Sequence, residues 1–212
     1  MYLTFFRLEE NLTGEWFETF LRKVSPKRRE ICRRQKGETA AALRLLTAVW
    51  TRAYLSAALG VSNRELRFER TADEKPYLCG NALSFNFSHA GEAFAFACSR
   101  EPVGVDLERP RKMRRGLIER YYSGAEQALI ASGTDPVLLW TKKESMLKLR
   151  GDGLRGIESA DTASAKDVFF DTRRIGEYYL TAASFSDREI TFETLSFETL
   201  ARSALALEDL PE

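Results

Sequence analysis

The 212-residue sequence contains few of the residues that build disulfides, zinc sites or histidine-based catalytic centres. Its three cysteines, Cys32, Cys79 and Cys98, are odd in number and form no CxxC pair, and there is one histidine, His89. This pattern excludes a zinc finger and a disulfide scaffold, so we interpret the cysteines as reduced thiols of a cytoplasmic protein. The sequence also lacks a Ser-His-Asp pattern, which disfavours nucleophilic catalysis by a side chain of the protein.

Long apolar runs are missing as well. No stretch reaches the roughly 18 uncharged residues that a membrane helix requires. The N-terminal segment "MYLTFFRLEE" becomes charged too early for a signal peptide, so we expect no membrane attachment. A linker rich in Gly, Ser or Pro is absent too, and any two halves of the chain should pack as one body.

The net charge of +1 conceals clusters of basic residues. Eight basic residues face one acidic residue between Arg22 and Lys36, and five of the seven residues from Arg109 to Arg115 are basic. Such clusters in a nearly neutral protein favour a local site for a phosphate-bearing ligand or an acidic partner. A nucleic-acid-binding protein is the rival interpretation, but the sequence contains no recognised binding motif and its aromatic residues fall at core positions.

Helical and extended patterns alternate twice along the chain. After a first strand in "MYLTFFRL", residues 25–60 indicate helices that begin at Ser25-Pro26 and end at Gly60. The segment "FNFSHAGEAFAFACSREPVGVDLE" then predicts strands, with "AFAFAC" and "PVGVDLE" as an antiparallel pair joined by "SREP". Helices are predicted over residues 116–130 and 136–150, followed by further strands. We therefore expect an α+β fold with two similar halves, residues 1–103 and 104–212.

Two acidic residues end the strand "VGVDLE". In a strand, Asp106 and Glu108 face the same way while Val105 and Leu107 fill the core. Adjacent carboxylates repel each other unless a cation lies between them, and Mg²⁺ takes one or two carboxylates together with substrate phosphates. The alternative is an ordinary solvated strand end.

Two further motifs contain polar residues whose positions are compatible with a binding site. In "WTKKESMLKLRGDGL", helical spacing places Trp140, Glu144 and Lys148 on one stripe. An exposed Glu–Lys pair would have the same spacing. In "FSHA", Ser88 and His89 could bind a phosphate, although a lone histidine is often only a structural residue.

The motifs "KPYL", "FNFSHAG", "VGVDLE" and "WTKKESMLKLRGDGL", in this order, closely resemble those of the 4′-phosphopantetheinyl transferase superfamily. The resemblance is to its larger, surfactin-synthetase-activating type, in which one chain holds two similar α+β halves in a pseudo-dimeric fold. It implies the transfer of phosphopantetheine from coenzyme A to a serine of an apo carrier protein, with release of adenosine 3′,5′-bisphosphate. The alternative is a family member that binds coenzyme A without transferase activity.

The resemblance also implies roles for individual residues, in an active site between the halves. Asp106, Glu108 and Glu144 would bind Mg²⁺, or Mn²⁺, together with the pyrophosphate of coenzyme A. Glu144, or a water that it holds, would accept the proton of the carrier serine. Lys148 would neutralise charge on the leaving phosphate. These roles agree with the general needs of phosphoryl transfer, which are a metal, a cation on the leaving side and a base.

The same resemblance places the nucleotide of coenzyme A on the N-terminal half. Ser88 and His89 would meet its 3′-phosphate, with Arg28 and Arg44 as cationic helpers. The Lys75-Pro76 pair would line the adenine side.

Three positions depart from the pattern of the family. The glycine that usually precedes Lys-Pro is Glu74, Ile31 replaces a second base found in some relatives, and Arg44 replaces a smaller residue. These changes could weaken coenzyme A binding or shift the 3′-phosphate onto Arg28 and Arg44.

The basic segment "RKMRRGLIERYYSGAEQ" is a candidate docking surface for an acidic carrier protein. Its apolar residues Met113, Leu117, Tyr121 and Tyr122 would contact the partner. Equally, the segment could be a solvated amphipathic helix with its aromatics in the core. A metal-dependent nuclease would use the same acidic residues. We expect a monomer, because one chain already holds both halves.

Overall fold

The computed structural model describes residues 1–80 and 82–211, which form nine strands, seven α-helices and a short 3₁₀ helix at Gly153–Gly156. The strands are β1 (Tyr2–Arg7), β2 (Phe68–Arg70), β3 (Pro76–Leu78), β4 (Ser84–Ala90), β5 (Ala93–Ser99), β6 (Gly104–Glu108), β7 (Phe169–Ile175), β8 (Tyr178–Ser184) and β9 (Thr191–Leu195). The helices are α1 (Gly14–Leu21), α2 (Pro26–Arg34), α3 (Glu38–Leu59), α4 (Arg115–Tyr121), α5 (Gly124–Ala131), α6 (Pro136–Arg150) and α7 (Phe197–Leu205). None of the described helices combines the length and the hydropathy that a membrane-spanning segment needs.

The first sheet has the strand order β4-β5-β1-β9. Strand β5 is buried along its whole length because it is covered on both faces. Its Phe94 and Phe96 pack with α3 in the first core, while its alanines face the second sheet. Strand β9 runs parallel to β1, and α7 packs against α3. The last elements of the chain therefore complete the sheet formed by the first ones, and the division at residue 103 stays a prediction.

The second sheet has the order β6-β8-β7, and α6 packs against β6 and β8. One face of this sheet supplies Val105, Leu107 and Leu180 to a core shared with β1 and β5. The opposite face of β6 is turned towards α6. The two sheets thus stack face to face, and their edge strands β4 and β6 lie against each other.

The predicted pairing of "AFAFAC" with "PVGVDLE" is wrong. Strand β5 pairs with β1 and β4, whereas β6 pairs with β8 alone among the described strands. The small alanines of β5 allow the second sheet to pack closely on that face, so the chain crosses to the other sheet after "SREP" instead of forming a hairpin.

The predicted helix boundaries are largely confirmed. Ser25 precedes Pro26 at the start of α2, and Gly60 ends α3 with a left-handed conformation, φ +66°. The helix predicted over residues 116–130 is divided into α4 and α5. A new helix begins there because Ser123 and Glu126 form a reciprocal capping box.

Candidate active site

Asp106 is the centre of a polar cluster between the two sheets. It is only 3% exposed, and its Oδ1 accepts hydrogen bonds from Ser88 Oγ at 2.8 Å and from Lys148 Nζ at 2.6 Å. Lys148 Nζ also donates to Ser88 Oγ at 3.0 Å. A strand of each sheet and helix α6 therefore meet at one carboxylate, which rules out a solvated strand end.

Gly104 allows α6 to approach β6 closely enough for this contact. A Cβ at position 104 would collide with the carbonyl oxygen of Ser145 and lie 2.5 Å from the amide nitrogen of Leu149. Both groups belong to the backbone of α6, so neither can turn aside. The glycine of "VGVDLE" thus sets the distance between the strand with Asp106 and the helix with Glu144 and Lys148.

The other two predicted carboxylates lie beside Asp106 in different settings. Glu144 Oε2 is 4.0 Å from Lys148 Nζ, one helical turn away. Glu108 is turned towards Arg111, whose Nη1 donates to its Oε2 at 2.5 Å. The spacing of Asp106 and Glu108 predicted a shared face correctly, but Arg111 draws the second carboxylate towards the surface.

The cluster is short of positive charge. Burial raises the pKa of Asp106 above its usual range and Glu108 adds to the rise, although Lys148 and Ser88 oppose it. Burial also raises the pKa of Glu144, with the charge of Asp106 as the next cause. Lys148 is thus shared by Asp106 and Glu144 while Arg111 pairs with Glu108, and a further cation would stabilise the ionised forms of Asp106 and Glu144.

The residues present suit a hard divalent cation. Asp106 Oδ2 is buried without a hydrogen-bond partner among the described residues, and such an oxygen is suited to a metal ion. The described residues nevertheless contain no group of three or more acidic, histidine or cysteine side chains already gathered around one point. The structure therefore places the predicted ligands next to one another without assembling them, and Lys148 Nζ lies between Asp106 and Glu144.

A separate basic cavity of about 130 Å³ lies between α2, α3 and β4. Its lining includes Arg28, Arg44, Thr47 and His89. The Thr47 hydroxyl donates to the Leu43 carbonyl at 2.7 Å, so it accepts from Nε2–H of His89 at 2.8 Å.

Burial lowers the pKa of His89 to about 4, and the charges of Arg44, Lys148 and Arg28 add to the shift, although part of the residue stays exposed. The structure brings His89 together with Arg28 and Arg44. Ser88 is on the opposite face of β4, with Asp106.

A groove of about 420 Å³ connects the two groups of residues. Lys75, Asn86, Glu144 and Lys148 line it, and its Pro76 and Phe87 line the basic cavity as well. Lys75 Nζ donates to the backbone oxygen of Lys148 at 2.5 Å, which joins the β2–β3 hairpin to the end of α6. Every predicted site residue except Glu108 thus lines the cavity or the groove or, like Ser88 and Asp106, contacts Lys148 in the groove lining.

The structure shows the surroundings of two of the three residues that depart from the family pattern, Glu74 and Arg44. Glu74 has a left-handed backbone, φ +63°, which explains why a glycine suits this position. Its side chain is exposed and pairs with Arg70 at 3.2 Å, while the residue also borders the groove beside Lys75. Arg44 adds a cation to the basic cavity.

The basic segment after β6 is exposed in its first part and buried at its end. Helix α4 has no buried residue, and Leu117 is 40% exposed. Tyr122, in contrast, is buried and donates to the Pro136 carbonyl at 2.7 Å. The first part of the segment is thus an open surface, and its end belongs to the core.

Sequence reasoning missed a buried ion pair beneath the site. Lys143 and Glu126 are both 0% exposed, with Nζ and Oε2 2.7 Å apart. Lys143 also donates to the Ala160 carbonyl, and Glu126 accepts from both the amide and the hydroxyl of Thr162. The sequence signal was Ser123-x-x-Glu126, a capping box that fixes the glutamate but does not indicate its burial.

Comparison with known proteins assigns both halves. A model of the "4′-phosphopantetheinyl transferase superfamily" matches residues 102–206, and a model of the "4′-phosphopantetheinyl transferase, N-terminal" family matches residues 11–101. The chain is 30% identical over 154 residues to 4′-phosphopantetheinyl transferase Sfp of Bacillus subtilis, covering 69% of each chain. It is 30% identical over 125 residues to the transferase HetI of a Nostoc species, covering 53% of each. The transferase AcpT of Salmonella typhi is 36% identical over 95 residues, 41% of this chain and 50% of AcpT. The prediction of two α+β halves of this fold is thereby confirmed.

Proposed function

Because the chain belongs to the 4′-phosphopantetheinyl transferase superfamily and has its transferase activity, we propose how its own residues carry out the reaction. The donor is coenzyme A, and the acceptor is the hydroxyl of a serine in an apo carrier protein. The serine oxygen forms a bond to the β-phosphorus, and the bond from that phosphorus to the bridging oxygen breaks. Adenosine 3′,5′-bisphosphate leaves, and the carrier keeps the phosphopantetheine.

The observation that carries this proposal is the continuity of the basic cavity with the groove at Lys148. Arg28, Arg44 and His89 form the cationic end, and Glu144 and Lys148 form the other end. A nucleotide with a 3′-phosphate and a diphosphate needs positive charge at two separated places joined by an apolar wall, and Pro76 and Phe87 supply that wall.

In the proposed mechanism, Glu144 accepts the serine proton. Its raised pKa makes it a stronger base than an ordinary carboxylate while leaving it ionised once a cation is near. Lys148 places its ammonium on the leaving bisphosphate, a stabilisation that is strong in a partly buried site. Asp106, whose buried Oδ2 has no hydrogen-bond partner among the described residues, would hold the divalent ion together with Glu144 and Glu108. When bound, Mg²⁺ neutralises phosphate charge in the transition state.

The carrier protein docks, in this proposal, on the surface formed by Arg111–Leu117. Arg114, Arg115 and Leu117 are exposed there, immediately after the strand that ends at Glu108. Carrier proteins are acidic around the modified serine, so exposed arginines around an apolar side chain are complementary to them. The three cysteines are free in the structure, which supports work in a reducing, cytoplasmic compartment.

The test is the intact mass of an apo carrier protein after incubation with the enzyme, coenzyme A and Mg²⁺. We expect the mass to rise by one phosphopantetheine. Glu144→Gln and EDTA should each abolish the rise, and Lys142→Gln on the same helix should leave it unchanged. Coenzyme A binding without any mass change on several carriers would contradict the proposal and support a binding-only protein. Nucleotide hydrolysis without a carrier would support a hydrolase.

A further inference from the structure

We propose that Asn86 is a specificity residue of the donor site, and that its side-chain amide donates a hydrogen bond to the β-phosphate of coenzyme A. The inference rests on the proposed function and adds a residue to which no role is assigned above. It follows from the way Asn86 joins two edge strands and lines the groove between them.

The orientation of the Asn86 side chain is fixed by its partner. Its Oδ1 accepts from the amide nitrogen of Val105 at 3.1 Å, across the junction of β4 and β6. Because Val105 N–H can only donate, the oxygen must face β6 and the NH₂ group must face away. Asn86 is 7% exposed, so this orientation is held inside the protein.

The side-chain NH₂ group of Asn86 still has N–H donors available for a ligand. Among the residues that the structure describes, it has no acceptor, and it is not sealed from solvent like the buried unpartnered atoms. Asn86 lines the groove together with Lys75, Glu144 and Lys148. A largely buried amide that lines this groove is ready to bind an acceptor oxygen of a ligand.

The position of Asn86 identifies the acceptor. Asn86 and Ser88 share one face of β4, and the hydroxyl of Ser88 is already engaged by Asp106 and Lys148. Asn86 therefore supplies the free neutral donor on the same strand, near the cation that meets the reacting phosphate. The basic cavity around Arg28 and Arg44 is on the other face of β4 and holds the nucleotide end. This arrangement favours the β-phosphate over the 3′-phosphate.

Three ligands with increasing parts of coenzyme A test this assignment by calorimetry in Mg²⁺ buffer. Adenosine 3′,5′-bisphosphate lacks the β-phosphate, 3′-phosphoadenosine 5′-diphosphate contains it, and coenzyme A adds the pantetheine arm. In Asn86→Ala, we expect the last two to bind about tenfold more weakly, the scale of a hydrogen bond to a charged group. The bisphosphate should change less than twofold. Ser84→Ala, on the same face of β4, should change none of the three.

Asn86→Asp separates binding from folding. It keeps the acceptor for Val105 N–H, so it removes the donor without breaking the link between β4 and β6. Its new carboxylate lies at a position that is only 7% exposed, so we expect a lower melting temperature. The three ligands are compared on the folded variant below that temperature, where the preference for ligands with the β-phosphate should be lost. If Asn86→Ala does not fold, the three ligands are compared with Asn86→Asp instead. Equal weakening of all three ligands, or weakening of coenzyme A alone, would overturn the assignment. Failure of the wild type to bind coenzyme A would overturn the proposed function, and this inference with it.

Discussion

The buried pair of Lys143 and Glu126 gives the sharpest prediction about stability. Replacing Lys143 by Met removes the only cation within 4.0 Å of Glu126 in the described residues and leaves both the carboxylate and the Ala160 carbonyl without that donor. Breaking a fully buried pair by removing one partner costs roughly 3–5 kcal/mol. Glu126 keeps its bonds from Ser123 and Thr162, so we expect about 3 kcal/mol.

The measurement is urea unfolding of the wild type and Lys143→Met, followed by circular dichroism. A chain of this size should also lose about 6–12 °C in melting temperature, because each kcal/mol corresponds to about 2–4 °C. Lys142→Met is the matched control. Lys142 is the adjacent lysine and its ammonium rests over Phe170, 5.8 Å from the ring centre, so its loss should cost less than about 1 kcal/mol.

The double variant Lys143→Met with Glu126→Gln decides the cause. If the penalty comes from an uncompensated buried charge, the double variant should be more stable than Lys143→Met alone, because the glutamine is neutral and still accepts from Thr162. Additive costs in the double variant, or a loss below about 1 kcal/mol in Lys143→Met, would refute the reasoning.

Three other variants test the geometry of the site. Gly104→Ala should destabilise the protein by about 1–3 kcal/mol and reduce transferase activity, because the new methyl group forces α6 away from β6; unchanged thermal unfolding would contradict this. Glu74→Gly should remove the cost, about 1 kcal/mol, of holding a non-glycine residue in a left-handed conformation. Because glycine also makes the unfolded chain more flexible, the two effects oppose each other, and the free energy of unfolding should change by less than about 1 kcal/mol. The pKa of His89 is lowered to about 4 in the folded state, below its value of about 6.5 when unfolded, so its contribution to stability is present above pH 6.5 and is lost as the pH falls towards 4. His89→Gln should therefore lose less stability than the wild type over that interval, and parallel pH profiles would exclude the effect.

Local patterns in the sequence were enough to predict most elements of the fold. Ser25-Pro26 and Gly60 mark helix ends by backbone chemistry that acts within a few residues. The partner of β6 could not be read in this way. A short turn such as "SREP" is compatible with a hairpin, and only the packing of the alanine face of β5 on the second sheet excludes it. That contact joins residues far apart in the chain.

In the candidate site, too, local spacing predicted some features, and long-range packing determined others. Spacing placed Asp106 and Glu108 on one face and Glu144 and Lys148 on one stripe, and the structure contains both arrangements. Spacing could not show that Asp106 is buried, because burial depends on α6 and β4 arriving from elsewhere. The pairing of Glu108 with Arg111, three residues away, and the separation of Ser88 from His89 on opposite faces of β4 are, in contrast, local effects.

In the proposed mechanism, the junction of the two edge strands explains why the coenzyme A site and the reacting groups lie side by side. β4 and β6 lie against each other without pairing as a ladder, so polar groups at their edges need side-chain partners. Asn86 and Ser88 supply them, one to Val105 N–H and the other to Asp106. A continuous ladder would satisfy the backbone but would close the groove. Side-chain bridges leave space beside them, and that space is lined by Lys75, Glu144 and Lys148. The same two side chains that join β4 to β6 thus keep the groove, the proposed donor site, open beside Asp106.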